Sequence, residues 1–137
     1  MRQVGIVVRD IESAMKYWVE VCGLGPWFYT DRLVLTAFTY NGTRYDDPHV
    51  SIALANSGEV QLELIQQRCN TPGMYQEFLT AGREGMQHWS SWPQEGPPGT
   101  VIEMADATPA RMRIFDAVRA AAADWDGADP IRRQWPT

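Results

Sequence analysis

The chain has 137 residues, of which 45% are hydrophobic and 21% charged, a balance that suits one folded domain or two small fused modules and excludes wholesale disorder. The formal net charge is −5 and Lys16 is the single lysine, so binding to nucleic acid by phosphate neutralisation is not expected. No apolar run approaches the ~20 residues of a membrane span, and the N-terminus lacks the layout of a signal peptide. Two cysteines, Cys22 and Cys69, are too few to cross-link such a chain, which predicts buried free thiols in the reducing cytoplasm. Together, these observations predict a cytoplasmic protein without nucleic-acid or membrane partners.

The first half of the sequence predicts a strand, a helix and a series of strands. Residues 4–8 form a mostly buried apolar strand. Asp10 then stands at the N-cap position of a helix that carries apolar residues at helical spacing and ends at Gly23. Further strands, separated by turn residues such as Asn41-Gly42, are predicted at residues 27–29, 34–40, 50–54 and 60–65.

The second half of the sequence begins the same pattern again and then shortens it. A helix is predicted at residues 72–81, a strand at 86–92 and a short strand at 100–104, with a Pro- and Gly-rich loop between the two strands. A long helix begins at Thr108-Pro109, a cap followed by proline in the first turn, and runs to about Trp125. Its apolar stripe needs a surface to cover, and a tail begins at Asp129.

Four polar residues lie inside strands that are otherwise apolar: Gln3, Glu63, His88 and Glu103. A buried carboxylate needs a partner, and two neighbouring carboxylates need a cation or a shared proton. One imidazole, two carboxylates and an amide oxygen form a sensible ligand set for a divalent metal. Each residue taken alone could equally lie on a solvent-facing strand surface, so spacing does not decide between these interpretations.

Several segments together resemble the vicinal oxygen chelate superfamily, which includes glyoxalases, bleomycin-resistance proteins and dioxygenases, with the methylmalonyl-CoA epimerase-like branch as the nearest. The opening residues 3–11, with the sequence QVGIVVRDI, and the GLGP of residues 23–26 are similar to the start of its first module. The segments VQLELI (60–65), GMQHW (85–89) and GTVIEM (99–104) are similar to its ligand-bearing strands.

The resemblance implies an α+β fold in which two βαβββ modules form an open barrel around a divalent metal, here followed by a C-terminal helix. It implies metal ligation by Gln3, Glu63, His88 and Glu103, without distinguishing Zn, Ni, Co, Mn or Mg. The metal would act as a Lewis acid that stabilises an enolate. The implied function is a metal-dependent isomerase, epimerase or lyase acting on a small carbonyl or acyl-thioester substrate, in a homodimer. The expected substrate pocket contains Tyr45, His49, Ser90 and Trp92.

Two departures from the family pattern affect these expectations. Gln3 stands where epimerases have histidine, so a two-histidine, one-carboxylate iron site is not formed and the dioxygenase interpretation is disfavoured. Between His88 and Glu103 there is also no room for the helix and two strands of a full second module. We therefore expect a first module over residues 1–66, a helix and shortened second module over 67–106, and a C-terminal helix and tail over 107–137. A true shortening and a missing stretch of sequence both remain open.

The sequence leaves the general base unassigned and keeps two other functions open. One is a non-catalytic, resistance-type protein that binds small molecules in an aromatic cleft, motivated by Trp18, Trp27, Trp89 and Trp92. The other is an interaction module built on the C-terminal helix, whose apolar stripe would meet a partner.

Overall fold

The computed structural model describes residues 2–91 and 102–136 and shows a mixed α+β fold built on a twisted sheet of seven strands in the order β8-β7-β1-β6-β5-β2-β9. A separate two-stranded hairpin pairs β3 with β4. The strands are β1 (Gln3–Val7), β2 (Trp27–Leu33), β3 (Phe38–Tyr40), β4 (Thr43–Tyr45), β5 (Val50–Ser57), β6 (Val60–Gln67), β7 (Gly85–Ser91), β8 (Ile102–Met104) and β9 (Ile131–Arg132). The helices are α1 (Ile11–Cys22), α2 (Met74–Thr80) and α3 (Pro109–Ala123).

One face of the sheet is covered by α1. The carboxylate of Asp10 accepts a hydrogen bond from the backbone N–H of Ser13, which caps the helix, and Gly23 ends it in the left-handed conformation. Ile11 and Met15 of this helix are buried against Leu64 and other apolar side chains of the sheet. The strand alternation therefore directs one set of side chains to α1 and the other set to the opposite face.

The opposite face of the sheet is covered by α2 and α3. Val118 of α3 is fully buried and packs on Phe28 of β2 and Leu54 of β5. Trp135, beyond β9, also packs on Phe28, with their ring centroids 6.5 Å apart. Since β9 pairs in parallel with β2, the C-terminal segment extends the sheet as well as covering it.

The strands β7 and β8, which follow α2, lie at one edge of the sheet. β7 pairs antiparallel with β1, and β8 pairs in parallel with β7 through Ser90 and Glu103. Parallel neighbours usually require a crossover of a dozen or more residues, yet only residues 92–101 connect these two strands. The expected α+β class with an added C-terminal helix is confirmed. The expected open barrel is present as an open sheet, which does not close over the residues that the structure describes.

The structure corrects three details of the sequence analysis. The segment predicted as a strand at 34–40 divides, because β2 runs on to Leu33 and the hairpin of β3 and β4 follows it. The tail after Asp129 contributes the edge strand β9. Cys22 is exposed rather than buried, because it lies in the last turn of α1 on the side away from the sheet.

None of the helices in the described part of the chain is long and apolar enough to cross a membrane.

The contact of α3 with the sheet predicts a specific stability effect. Val118→Ala should lower the free energy of unfolding by about 1–3 kcal/mol, because it leaves a cavity between Phe28 and Leu54. The matched control is Val21→Ala, since Val21 of α1 is 64% exposed and should change stability by less than about 0.5 kcal/mol. Urea unfolding of both variants measures the difference, and equal values would contradict this packing.

Candidate metal centre

Three of the four predicted ligands converge on one point between β6, β7 and β8. Gly5 of β1 lies between Glu63 of β6 and His88 of β7 in the strand register, and β8 places Glu103 beside Ser90. Nε2 of His88 lies 3.9 Å from a carboxylate oxygen of Glu63 and 3.9 Å from one of Glu103. Metal–ligand bonds of about 2.0–2.2 Å place two ligands of one ion roughly 3–4 Å apart, so these separations suit a shared cation.

The imidazole of His88 lies directly over Gly5. A Cβ atom at Gly5 would lie 2.1–2.5 Å from three atoms of the ring, a separation that no side chain tolerates. The register between β1 and β7 also shifts between Gly5 and Ile6, where Gln87 is the extra residue of a β-bulge. Bulges redirect side chains near functional sites, and here the bulge and the glycine together let His88 reach the two carboxylates.

The ring nitrogens of His88 have different environments. Nδ1 lies 2.6 Å from Oε1 of Gln87, which favours the tautomer that donates from Nδ1 and leaves a lone pair on Nε2. Among the described residues, Nε2 is buried and has no hydrogen-bond partner. Burial lowers the pKa of His88, against the opposing effect of Glu103. A neutral imidazole with a free, inward-facing lone pair is the form that ligates metals.

Glu63 has the environment of a carboxylate that lacks a counter-charge. Burial, with a smaller contribution from the nearby carboxylate of Glu103, raises its pKa to about 8 against the opposing effect of Arg2. Two carboxylates that face one cavity cannot both ionise cheaply without a cation. The donor set of one imidazole and two carboxylates, which the described residues bring together as a group, therefore fits a divalent metal.

Gln3 lies in the same cavity but is held by a hydrogen bond within the sheet. Its Nε2 donates to Oε1 of Gln61, with 2.9 Å between the two atoms, and Gln61 in turn donates to Asn56. This chain of amides is buried. These hydrogen bonds fix the side chain of Gln3 in the cavity that Glu63 also lines. The amide oxygen of Gln3 takes no part in the bond to Gln61.

The candidate metal centre lies where two hollows of the molecule adjoin. The first, which we call the arginine lobe, has a volume of about 470 Å³ and is lined by Arg2, Gln3, Arg111, Phe115 and Trp135 among others. The second, the aromatic lobe, has a volume of about 400 Å³ and is lined by Phe38, Tyr40, Met74, Tyr75 and His88 among others. Glu63 and Glu103 line both lobes, so a small molecule in either one can reach them.

Of the expected pocket residues, Ser90 and Tyr45 contact residues that line the two lobes, whereas His49 contacts Asp31. The side chain of Ser90 is fully buried and accepts a hydrogen bond from Arg2. Ser90 therefore orients a residue of the arginine lobe. The ring of Tyr45 packs on Phe38 of the aromatic lobe. His49 lies next to Asp31, with Nε2 3.0 Å from its carbonyl oxygen, on the side of the sheet where Ser51 also bonds Asp31. Trp92 lies outside the described residues.

Three residues of the site escape the sequence analysis. Arg2 and Arg111 line the arginine lobe. Arg2 directly precedes the motif of residues 3–11, whereas Arg111 lies on α3, outside all of the motifs. The ring of Tyr75 lies on His88, with a centroid distance of 6.4 Å. Burial, together with Glu63 and Glu103, raises the pKa of Tyr75, so its hydroxyl stays protonated. In the sequence, the only signal for Tyr75 is its position in the first turn of the predicted helix, now α2.

The open α+β sheet, with one histidine and two glutamates grouped on one of its faces, is typical of the vicinal oxygen chelate class of proteins. Residues 2–128 match the glyoxalase/bleomycin resistance protein/dioxygenase superfamily, and the chain belongs to this family. Comparison with curated proteins found no match.

Solved structures with a similar fold include a hypothetical protein, BH1468, from Bacillus halodurans, which is 19% identical with a TM-score of 0.48. The alignment covers 69% of this chain and 59% of that one. Methylmalonyl-CoA epimerase from Mycobacterium tuberculosis is 17% identical with a TM-score of 0.46, over 68% of this chain and 54% of the epimerase. An epimerase from Streptomyces coelicolor is 13% identical with a TM-score of 0.43, over 69% and 60%. The chain thus spans less than two thirds of the length of these proteins.

The contact between Gly5 and His88 predicts a coupled effect of substitution. Gly5→Ala should displace the imidazole, lower stability by roughly 1–3 kcal/mol and weaken binding of Zn²⁺ at least tenfold. In an H88A background the ring is absent, so the same substitution should cost much less stability. A double-mutant cycle measured by urea unfolding gives the coupling. Additive costs would show that the ring does not lie over Gly5.

The raised pKa of Glu63 predicts how the stability of the metal-free protein depends on pH. Between the unfolded-state pKa of 4.5 and the folded-state value of about 8, the folded protein holds a proton that the unfolded chain has released. The contribution to stability is therefore full below pH 4.5 and is lost as the pH rises from there to about 8, by at most ~1.4 kcal/mol for each pH unit. Denaturant unfolding with EDTA at pH 6 and pH 9 measures this fall, which E63Q should abolish. A fall of equal size in E63Q would assign it to another group.

Proposed function

We propose that the chain is a divalent-metal-dependent isomerase, epimerase or lyase that stabilises the enolate of a small carbonyl or acyl-thioester substrate. The observation that carries this proposal is the buried Nε2 of His88, which faces Glu63 and Glu103 at 3.9 Å each. The group is too far apart for mutual hydrogen bonds and suitably spaced to share a cation.

Each residue has a definite part in this proposal. His88 contributes the lone pair of Nε2, Glu63 and Glu103 contribute carboxylate oxygens, and Gln3 contributes its amide oxygen as the fourth ligand. A bound cation supplies a Lewis acid that favours negative charge on a substrate oxygen. This donor set accepts Zn, Ni, Co, Mn or Mg, because it combines one borderline nitrogen with hard oxygens.

The proton removed from the substrate needs an acceptor near the cation. Glu63 and Glu103 are the only acidic side chains among the described residues that line the two lobes. The side chain of Glu103 is 47% exposed and that of Glu63 only 16%. We therefore assign the proton acceptor to the second carboxylate oxygen of Glu103, the one that does not bind the cation, because this side chain is the more exposed of the two.

The wider setting of the site belongs to the same proposal. We infer a homodimer that acts on a small molecule in the cytoplasm, with residues 1–66 as the first module, 67–106 as the helix and shortened second module, and 107–137 as an added segment. The support for the shortened module is the direct parallel pairing of β7 with β8.

A second candidate function is non-catalytic binding of small molecules, as in resistance proteins. Its support is the aromatic lining of the two lobes, which includes Phe38, Tyr75, Phe115 and Trp135. The tryptophans that suggest an aromatic cleft give it less support, because Trp27 is buried in the core and Trp18 of α1 packs against that core. The third candidate, an interaction module on the C-terminal helix, is weakened because α3 covers Phe28 and Leu54 of its own chain.

The two histidines of the chain provide a matched test of metal binding. His88→Ala should reduce the affinity for Zn²⁺ at least a hundredfold, because it removes the central ligand. His49→Ala should leave the affinity unchanged, because His49 lies beside Asp31. Elemental analysis and calorimetric titration after removal of metal with EDTA measure both. Equal affinities in the two variants would contradict the centre.

Proton exchange in D₂O separates catalysis from simple binding. With metal present, the protein should accelerate deuterium incorporation next to the carbonyl of a 2-oxo acid or an acyl-CoA, as followed by NMR. E103Q should lower that rate at least tenfold while the protein stays folded. Chelator-independent quenching of tryptophan fluorescence by aromatic ligands, without proton exchange, would favour the binding protein instead.

A further inference from the structure

Three amide side chains lie side by side across the middle of the sheet, in the row next to the candidate metal centre. Gln3 of β1 and Asn56 of β5 are both register partners of Gln61 of β6. Register partners project from the same face of a sheet, and so do residues two positions apart in one strand. The neighbouring row on this face contains Gly5 and Glu63. The three amides, which we call the amide row, therefore end beside the candidate metal centre.

The direction of each amide in the row is set from its far end. Nδ2 of Asn56 donates to the backbone carbonyl oxygen of Gly58, at 3.1 Å, in the turn between β5 and β6. A carbonyl oxygen can only accept a hydrogen bond, and in an amide side chain only the nitrogen donates. Asn56 must therefore present its nitrogen to Gly58 and its oxygen to Gln61.

The same constraint passes from amide to amide toward the cavity. The oxygen of Asn56 accepts from Nε2 of Gln61 at 3.4 Å, which directs Oε1 of Gln61 toward β1. That oxygen accepts from Nε2 of Gln3 at 2.9 Å. Gln3 lines the arginine lobe together with Glu63, and its Oε1 is the amide atom that the row does not engage.

Stability of the fold does not require amides at these positions. Buried polar groups are costly to desolvate, and replacing a hydrogen-bonded pair by apolar side chains of the same shape is often neutral or stabilising. Gln61 is fully buried, and within the described part of the chain its side-chain hydrogen bonds are both to the other two amides. The amides provide what leucines would not, which is a fixed direction for the side chain of Gln3.

We propose that Gln61 and Asn56 are positioning residues, which hold the amide of Gln3 with its oxygen rather than its nitrogen available to a divalent cation. The inference rests on the proposed function, in which Gln3 is the fourth ligand, and it adds two residues outside the ligand set. An amide oxygen ligates cations, whereas an NH₂ group presents two hydrogens to them. Half a turn of the Gln3 amide would therefore exchange a ligand for a repulsive group.

A substitution of Gln61 can be compared with a matched substitution on the same strand. Q61L removes the acceptor that orients Gln3 and should weaken binding of Mn²⁺ at least tenfold, as is typical of groups that orient a metal ligand. Gln66 of β6 also makes two hydrogen bonds, with the backbone of Arg9 and Ile11, so Q66L should leave the affinity within a factor of two. Calorimetric titration after treatment with EDTA measures both affinities. Equal affinities in the two variants would overturn the inference.

A carboxylate at position 3 distinguishes orientation from a general effect on the site. Either oxygen of a carboxylate can ligate a cation, so Q3E needs no group to choose between two ends of the side chain. Adding Q61L to Q3E should therefore change the affinity for Mn²⁺ less than threefold. A tenfold loss in both backgrounds would assign a general structural role to Gln61 and overturn the inference.

The far end of the amide row supplies a test that does not depend on Q61L. N56L and N56D both remove the donor to Gly58, but only the carboxylate of N56D keeps an acceptor for Nε2 of Gln61. N56D should therefore bind Mn²⁺ at least threefold more tightly than N56L, with thermal unfolding used to verify that both are folded. An N56L variant that binds Mn²⁺ as tightly as N56D would contradict the transmission of direction along the row.

The outcomes separate this inference from the proposed function. A protein that binds Mn²⁺ equally well as Q61L and as Q66L would lose the positioning role and keep the metal centre, whereas a protein that binds no divalent metal would overturn both proposals. Should the leucine variants be unfolded, NMR of the unaltered protein decides the matter. The side-chain NH₂ group of Gln3 should exchange slowly with D₂O, and Zn²⁺ should shift the resonance of its side-chain carbonyl carbon. Fast exchange without such a shift would overturn the inference.

Discussion

The absence of a side chain at Gly5 is the constraint on which the candidate metal centre depends. The imidazole of His88 occupies the space where a Cβ atom of that residue would stand. β1 lies between β6 and β7 in the sheet, so a larger residue at this position would separate His88 from Glu63. The β-bulge at Gln87 completes the arrangement, because it sets the ring over the glycine and supplies the hydrogen bond to Nδ1.

The C-terminal segment covers part of the sheet face that carries the candidate metal centre. With β8 paired directly to β7, the described sheet ends close to the candidate centre, and α3 packs over β2 and β5. Phe115 and Trp135 from this segment form a wall of the arginine lobe, and Arg111 brings a charge to it. The same segment thus encloses the site and shapes what can enter it.

The alternation of side chains along the strands predicts from sequence which face of the sheet several residues of the candidate site occupy. It placed Glu63 and His88 on inward faces, and the parallel pairing of β1 with β6 and of β7 with β8 then brought the ligand strands together. The bulge at Gln87 could not be read from the sequence, since it depends on pairing between strands far apart in the chain. Nor could the position of Arg111, because the direction in which α3 crosses the sheet is decided by the burial of Val118.

The charged groups of the site make sense only as a set. Glu63 is held protonated by burial and by its neighbour Glu103, His88 is held neutral by burial, and Arg2 is held close to both carboxylates. In the metal-free protein, each of these groups is therefore further from its preferred ionisation state than it would be in water. Under the proposed function, a cation between the carboxylates would favour the ionised form of Glu63 and would bind the lone pair of His88. The unfavourable ionisation of these groups in the metal-free protein is therefore the physical basis of the proposed affinity for a divalent metal.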